Sequence, residues 1–73
     1  MKIITKREDF SLARIRKNLT KKELAKLVKV SPEALGQIER GILNAGVKTA
    51  NKICKVLDSE FEEIFELRRW GNG

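Results

Sequence analysis

The segment from Thr20 to Gly41 constrains this chain more than any other, because it carries start and stop signals for two consecutive short helices. Thr20 is followed three residues later by Glu23, and this pair forms a capping box that marks the start of the first helix. Ser31 followed by Pro32 marks the start of the second helix, and Gly41 marks its end. The segment therefore predicts two short helices joined by a tight turn.

The apolar residues of this segment are spaced for two helices that cross closely. Small Ala25 lies at the crossing, where a larger side chain would push the helices apart. Val30 fills the turn, which spans residues 28–31. The wedge between the two helices consists of Leu24, Val28, Leu35 and Ile38. This is the arrangement of a helix-turn-helix, whose second helix enters the major groove of DNA.

Charge is distributed unevenly along the chain, which carries a formal net charge of +6. Residues 1–57 hold 14 Lys or Arg and 5 Asp or Glu, whereas residues 58–73 hold 2 and 5. A basic body of this size favours a polyanionic partner such as nucleic acid, and the alternative is a basic surface without a partner. We expect the acidic end to face away from a polyanion.

Length and composition exclude several classes of protein. A chain of 73 residues predicts one domain, with a core over residues 10–67. No apolar run approaches the ~20 residues that a membrane span needs, and the charged N-terminus does not suit a secretory signal. We therefore expect a cytoplasmic protein without a membrane partner.

Residues suited to catalysis or metal binding are scarce. The chain has no histidine, one cysteine and no glycine-rich phosphate loop, so we expect no catalytic residue, no metal site and no cofactor. Cys54 has apolar neighbours, and we expect a buried, inert thiol rather than a redox sensor.

Three further helices are predicted outside the central segment. The first spans Phe10 to Asn18, with Asp9 as its N-cap and Asn18 as a left-handed stop. The next spans Val47 to Leu57, and the last spans Phe61 to Leu67. The inner face of the Val47–Leu57 helix is predicted to consist of Val47, Ala50, Ile53, Cys54 and Leu57. The fold class is thus mainly α, with five helices.

The two ends of the chain carry short candidate strands. Residues 1–5 are rich in β-branched side chains, and residues 66–70 alternate in polarity. They are candidates for pairing with each other, or for joining across a dimer. The tail 71–73 is predicted to be disordered.

Four short motifs resemble the lambda-repressor-like, or Cro/repressor, family of regulators. They are L-T-x-x-E-L-A at residues 19–25, V-S at 30–31, I-E-R-G at 38–41 and L-x-x-x-F-E-E-I-F at 57–65. The resemblance covers residues 10–65. It implies a compact five-helix DNA-binding domain that binds a pseudo-palindromic operator on double-stranded DNA as a homodimer and regulates transcription, as a repressor.

The resemblance also implies roles for particular residues. The base-contacting positions are Ser31, Pro32, Glu33 and Gln37. Gln37 suits a two-pronged contact to adenine, whereas Glu33 either accepts from cytosine or stays solvated. The phosphate-contacting positions are Thr20, Lys21, Arg40, Asn44 and Lys48. Arg14 and Glu39 stand at the positions of a structural ion pair.

The dimer interface is predicted to consist of apolar residues near the end of the chain, which are also core candidates: Phe61, Ile64, Phe65 and Trp70. Lys29 departs from the family pattern, because it replaces the usual glycine of the turn, and either Lys29 takes a positive φ or the turn adjusts. Ile42 and Leu43 replace the basic residues common in the following loop. This apolar pair and acidic Glu33 favour the alternative function, a protein-interaction module such as an antitoxin-like partner.

Overall fold

The computed structural model describes residues 1–69, which contain five helices and two short strands. In chain order these are β1 (Lys2–Thr5), α1 (Arg7–Arg16), α2 (Lys21–Val28), α3 (Pro32–Glu39), α4 (Val47–Leu57), α5 (Phe61–Ile64) and β2 (Phe65–Arg68). The predicted fold class, five helices with a terminal pair of strands, is confirmed. Trp70 and the tail 71–73 lie outside the described residues.

One apolar core holds the helices together. Helix α2 packs on α3 and α4, while α1 packs on α5 and α3. Ala25 is fully buried at the α2–α3 crossing, as its small side chain predicts. The largest fully buried side chains are Phe10, Leu24, Val28, Leu35, Ile53, Ile64 and Phe65. No helix within residues 1–69 is long and apolar enough to cross a membrane.

The two strands pair antiparallel and bring the ends of the described chain together. Lys2 lies opposite Arg68, and Thr5 lies opposite Phe65. The prediction that the last helix continues to Leu67 is wrong, because this pairing draws the chain into a strand directly after Ile64. The predicted 66–70 strand therefore starts one residue early, at Phe65, and ends at Arg68.

The start of α1 also differs from the prediction. The helix begins at Arg7 rather than Phe10, so Asp9 lies within its first turn and does not cap it. The backbone N–H of Lys6 donates to the carbonyl of Ile64 at 2.9 Å, and the Lys6 carbonyl accepts from the N–H of Phe10 at 2.8 Å. The chain thus passes from β1 into α1 without a loop.

Two residues assigned to the dimer interface are core residues of the single chain. Ile64 is 1% exposed and Phe65 is 0% exposed, so neither offers a surface to a second copy. The ring of Phe65 meets the ring of Phe10 edge-on, with centroids 5.9 Å apart. The interface assignment is therefore wrong for these two residues. Phe61 is half-buried, and its place in a dimer interface stays a prediction.

The inner face of α4 differs from the prediction at two residues. Val47 is 66% exposed, because it lies at the first position of the helix, outside the core. Cys54 is half-buried rather than buried. Partial burial, together with the carboxylates of Glu62, Glu60 and Glu63, raises the pKa of the Cys54 thiol. A raised pKa keeps the thiol protonated and unreactive at neutral pH.

Candidate nucleic-acid interface

A reciprocal cap fixes the start of α2. The backbone N–H of Thr20 donates to Glu23 Oε1 at 2.8 Å, and the backbone N–H of Glu23 donates to Thr20 Oγ1 at 3.1 Å. The backbone N–H and the hydroxyl of Thr20 favour the ionised form of the Glu23 carboxylate, and they lower the pKa of Glu23. The cap therefore holds Thr20 and Lys21 in place at the exposed start of the helix.

The turn between α2 and α3 is a left-handed stop. Lys29 has φ 60° and ψ 45°, so of the two expected alternatives it is the positive φ that occurs. The backbone N–H of Val30 then donates to the carbonyl of Ala25 at 3.0 Å, which closes the turn onto the end of α2. The turn therefore fixes the angle between α2 and α3.

Helix α3 presents a polar outer face at its start. The hydroxyl of Ser31 accepts from the backbone N–H of Ala34 at 3.0 Å, as a capping side chain should. Pro32 has no N–H, so Glu33 carries the remaining uncapped donor among the first three residues of the helix. Leu35 and other apolar residues point inward, whereas the four predicted base-contacting residues, Ser31, Pro32, Glu33 and Gln37, are all exposed.

The far end of α3 is held by a partly buried ion pair. Arg14 Nε on α1 lies 2.9 Å from Glu39 Oε1, and Ser11 Oγ donates to Glu39 Oε2 at 2.9 Å. Arg14 Nη1 also donates to the carbonyl of Leu19, at 2.8 Å. The pair thus ties α3 to α1 and to the segment that enters α2.

An open cleft between α1, α2 and α3 is lined by several basic side chains. It is lined by Arg7, Glu8, Ser11, Leu12, Lys21, Glu39 and Arg40. The structure thus brings Lys21 and Arg40, two predicted phosphate contacts, to one cleft. Lys21 Nζ also lies 3.9 Å from Glu39 Oε2. The sequence analysis did not identify Arg7 and Ser11 as residues of this site. Helical spacing could have indicated them, because Arg7, Ser11 and Arg14 are four and three residues apart and lie on one face of α1.

The loop after α3 is anchored on that helix. The backbone N–H groups of Ile42 and Leu43 both donate to the carbonyl of Gln37, at 2.9 and 3.1 Å. Gly41 has φ 77°, which its lack of a Cβ permits. Asn44 and Lys48, the remaining predicted phosphate contacts, are exposed in this loop and in the first turn of α4. Asn44 instead lines a separate groove beside the strands, with Ile3 and Leu67, so the structure does not bring it to the cleft. Lys48 does not line the cleft either.

Acidic residues are concentrated on another part of the surface. Glu60, Glu62 and Glu63 are exposed on and beside α5, which packs against α1, α4 and β2. The helix that carries the polar outer face, α3, packs instead on α2 and α1. Lys21 and Arg40 line the cleft beside α3, which contains none of this acidic group. The charge arrangement suits nucleic acid.

A helix-turn-helix with an exposed second helix and flanking cations defines a DNA-binding domain. Residues 11–64 match the family model described as helix-turn-helix. The chain therefore belongs to the lambda-repressor-like helix-turn-helix family, whose members are DNA-binding transcriptional regulators and not enzymes.

Individual relatives agree with this assignment. A protein of Archaeoglobus fulgidus named an uncharacterized HTH-type transcriptional regulator is 42% identical over 48 residues, which cover 66% of this chain and 68% of that protein. The crystal structure of the clp gene regulator ClgR from Corynebacterium glutamicum is similar with a TM-score of 0.69 and 28% identity. That match covers 74% of this chain but only 57% of the ClgR chain.

A third similarity covers nearly the whole fold. The transcriptional regulator VanUg matches with a TM-score of 0.69 over 94% of this chain and 92% of its own. Sequence identity is 21%, so this likeness concerns the fold alone. Because this match covers 94% of the chain, it extends beyond residues 11–64, which the family model covers.

Proposed function

We propose that the protein binds a specific operator on double-stranded DNA as a homodimer and represses transcription there, with α3 in the major groove. The observation that carries the proposal is the outer face of α3. Glu33 and Gln37 are exposed there, beside the cleft that gathers Lys21 and Arg40. A surface of this kind offers groups for base edges and charges for the phosphates that flank them.

Base recognition is assigned to four exposed residues. The amide of Gln37 offers a donor and an acceptor, which match N7 and N6 of adenine. Ser31 uses its oxygen as an acceptor for the helix cap, and its hydroxyl proton stays available to a base. Pro32 presents an apolar ring suited to a thymine methyl group, and Glu33 accepts from cytosine N4 or stays solvated.

Affinity is assigned to the surrounding polar and basic residues: Thr20, Lys21, Arg40, Asn44 and Lys48. Each phosphate that a cation neutralises releases condensed counterions, so binding should weaken steeply as salt is raised. A dimer doubles these contacts and places two copies of α3 about one helical turn of DNA apart. Phe61 and Trp70 remain the proposed interface residues. Repression then follows because the bound dimer excludes RNA polymerase.

The test is selection of bound duplexes from a random pool by the purified chain, followed by sequencing. We expect a two-fold symmetric motif whose half-sites lie ~10 bp apart. Sedimentation of the protein with the selected duplex should give two chains per duplex. Selection of an asymmetric site by a single chain would contradict the homodimer while leaving DNA recognition in place.

A second function is favoured by one feature of the loop after α3. Ile42 is 69% exposed and its neighbour Leu43 is also exposed, and an apolar pair of this kind is unusual beside a phosphate-binding surface. It fits a module that binds another protein, as an antitoxin-like partner does. If the folded chain selects no DNA sequence even at low salt, that result favours the protein-binding module over the DNA-binding regulator.

A further inference from the structure

Gly36 occupies the middle of α3, where a glycine is unfavourable. It is the fifth residue of the eight-residue helix and has no positive φ. Glycine is the least favourable residue in a helix interior after proline, because it loses the most backbone freedom. Gly41 differs, since its φ of 77° needs a residue without a Cβ. The backbone of α3 therefore gives no reason for glycine at position 36.

Packing within the chain gives no reason either. A Cβ built on Gly36 meets no atom of the described residues within 4 Å beyond its own helical turn. The position is partly exposed, so the space beside it opens toward solvent. Arg40 Nε donates to the Gly36 carbonyl at 3.3 Å, yet its side chain also stays clear of that Cβ. An alanine would fit the free protein and would favour the helix.

The neighbours of Gly36 indicate what lies against it. Pro32 and Arg40 are one turn before and one turn after it on the helix surface, and Gln37 follows it directly. Pro32 and Gln37 are proposed base contacts, and Arg40 is a proposed phosphate contact. A helix with its side chains is about 10–12 Å across, and the major groove is about 12 Å wide. A helix seated there fills the groove, so a position without a side chain is where its backbone can approach the duplex most closely.

We propose that Gly36 is a point of closest approach between α3 and DNA, where the bare backbone packs against the duplex and any side chain would lift the helix out of the groove. This inference rests on the proposed DNA recognition and deepens it. Gly36 thereby sets how deeply Gln37 reaches toward the base edges, although it makes no hydrogen bond to them through a side chain.

The test compares Gly36→Ala with the unmodified chain in two measurements. Thermal unfolding of the free protein should shift upward by about 4–8 °C, because alanine favours the helix and meets no clash. Affinity for the selected operator, measured by fluorescence anisotropy, should fall at least tenfold. The opposite signs separate a contact with DNA from a structural role, which would move both measurements the same way.

Asn51→Ala is the matched control. Asn51 is exposed in α4 and lines a groove with Lys55, Asp58 and Glu60, away from α3. This substitution should also raise the unfolding temperature, because alanine is the better helix former, but operator affinity should stay within twofold. The control shows whether added helix stability by itself changes binding.

Two results would overturn the inference. If Gly36→Ala binds the operator as tightly as the unmodified chain, no duplex lies against position 36, while the proposed function stands. If Gly36→Ala lowers the unfolding temperature, glycine is needed by the fold itself. Failure of the unmodified chain to select any sequence would instead overturn the proposed function, and the assignment of Gly36 with it.

Discussion

Arg14 on α1 and Glu39 at the last position of α3 face each other through two contacts, Nε to Oε1 at 2.9 Å and Nη2 to Oε2 at 3.4 Å. The two side chains are 13% and 7% exposed, respectively. Ser11 and the carbonyl of Leu19 satisfy further groups of the pair. The ion pair thus fixes the end of the proposed reading helix against the rest of the fold.

Removing Glu39 should be costly for stability. Glu39→Ala leaves the guanidinium of Arg14 without its partner in a mostly buried place, and we expect the free energy of unfolding to fall by about 3–5 kcal/mol. Lys17→Ala is the matched control, since Lys17 and Asp58 are 3.9 Å apart and exposed, and its effect should stay under about 1 kcal/mol. Urea denaturation measures both. An equal loss of unfolding free energy in the two variants would show that the buried pair stabilises the fold no more than the exposed pair does.

Replacing Gln37 should alter sequence preference more than overall affinity. Gln37→Ala removes the proposed two-pronged contact to adenine, so we expect discrimination at one base pair to fall by about 1–3 kcal/mol. Binding to a random duplex should stay nearly unchanged. Anisotropy titrations on the selected operator and its single-base variants give both quantities. A uniform loss on every duplex would remove Gln37 from the base-contacting set.

Replacing Lys21 should lower overall affinity and leave sequence preference nearly unchanged. Lys21→Ala should weaken binding to all duplexes and lower the slope of log affinity against log salt by about one. Lys55→Ala is the control, because Lys55 is exposed on α4 beside Asp58 and Glu60. Titrations over a range of salt concentrations compare the two slopes. If both variants keep the slope of the unmodified chain, Lys21 does not contact a phosphate.

The turn should become more stable with glycine at position 29. Lys29 has a left-handed backbone, which strains any residue with a Cβ, so Lys29→Gly should raise the free energy of unfolding by about 1 kcal/mol. Lys26→Gly, in the interior of α2, should lower it by about 1 kcal/mol. Chemical denaturation gives both changes. Destabilisation by Lys29→Gly would mean that flexibility of the unfolded chain outweighs the strain.

Acid should weaken the cap of α2. The backbone N–H and hydroxyl of Thr20 lower the pKa of Glu23, so its contribution to stability is present above about pH 4.3. That contribution is lost as the pH falls through the lowered pKa of the folded state. Glu23→Gln keeps an acceptor but cannot titrate, so its unfolding temperature should fall less between pH 5 and pH 2. Glu62→Gln, outside this cap, controls for the loss of one negative charge.

The helix-turn-helix was predictable because its signals are local. The capping box at Thr20, the cap at Ser31 and the positive φ of Lys29 each depend on residues a few positions away in the chain. Its outer face was predictable for the same reason, since helical periodicity separates Gln37 from Leu35. The family resemblance added the ion pair of Arg14, which helical periodicity alone does not indicate.

The remaining features depend on residues that are far apart in the sequence. Helix α5 stops at Ile64 because Phe65 pairs with Thr5, and α1 begins at Arg7 because Lys6 bonds to Ile64. Neither partner can be identified from its neighbours in the chain. The place of Arg7 in the cleft likewise requires the packing of α1 on α3.

The antiparallel pairing of Lys2 with Arg68 has a consequence for synthesis of the chain. The ribosome releases residue 2 long before residue 68, so β1 waits for its partner while the residues of α1 to α4 are already outside. Closing so long a loop adds an entropic cost, and among the contacts within residues 1–69 the sheet therefore forms late. Until then Phe10 lacks the contact with Phe65, and its exposed ring makes the nascent protein more open to proteases and to aggregation.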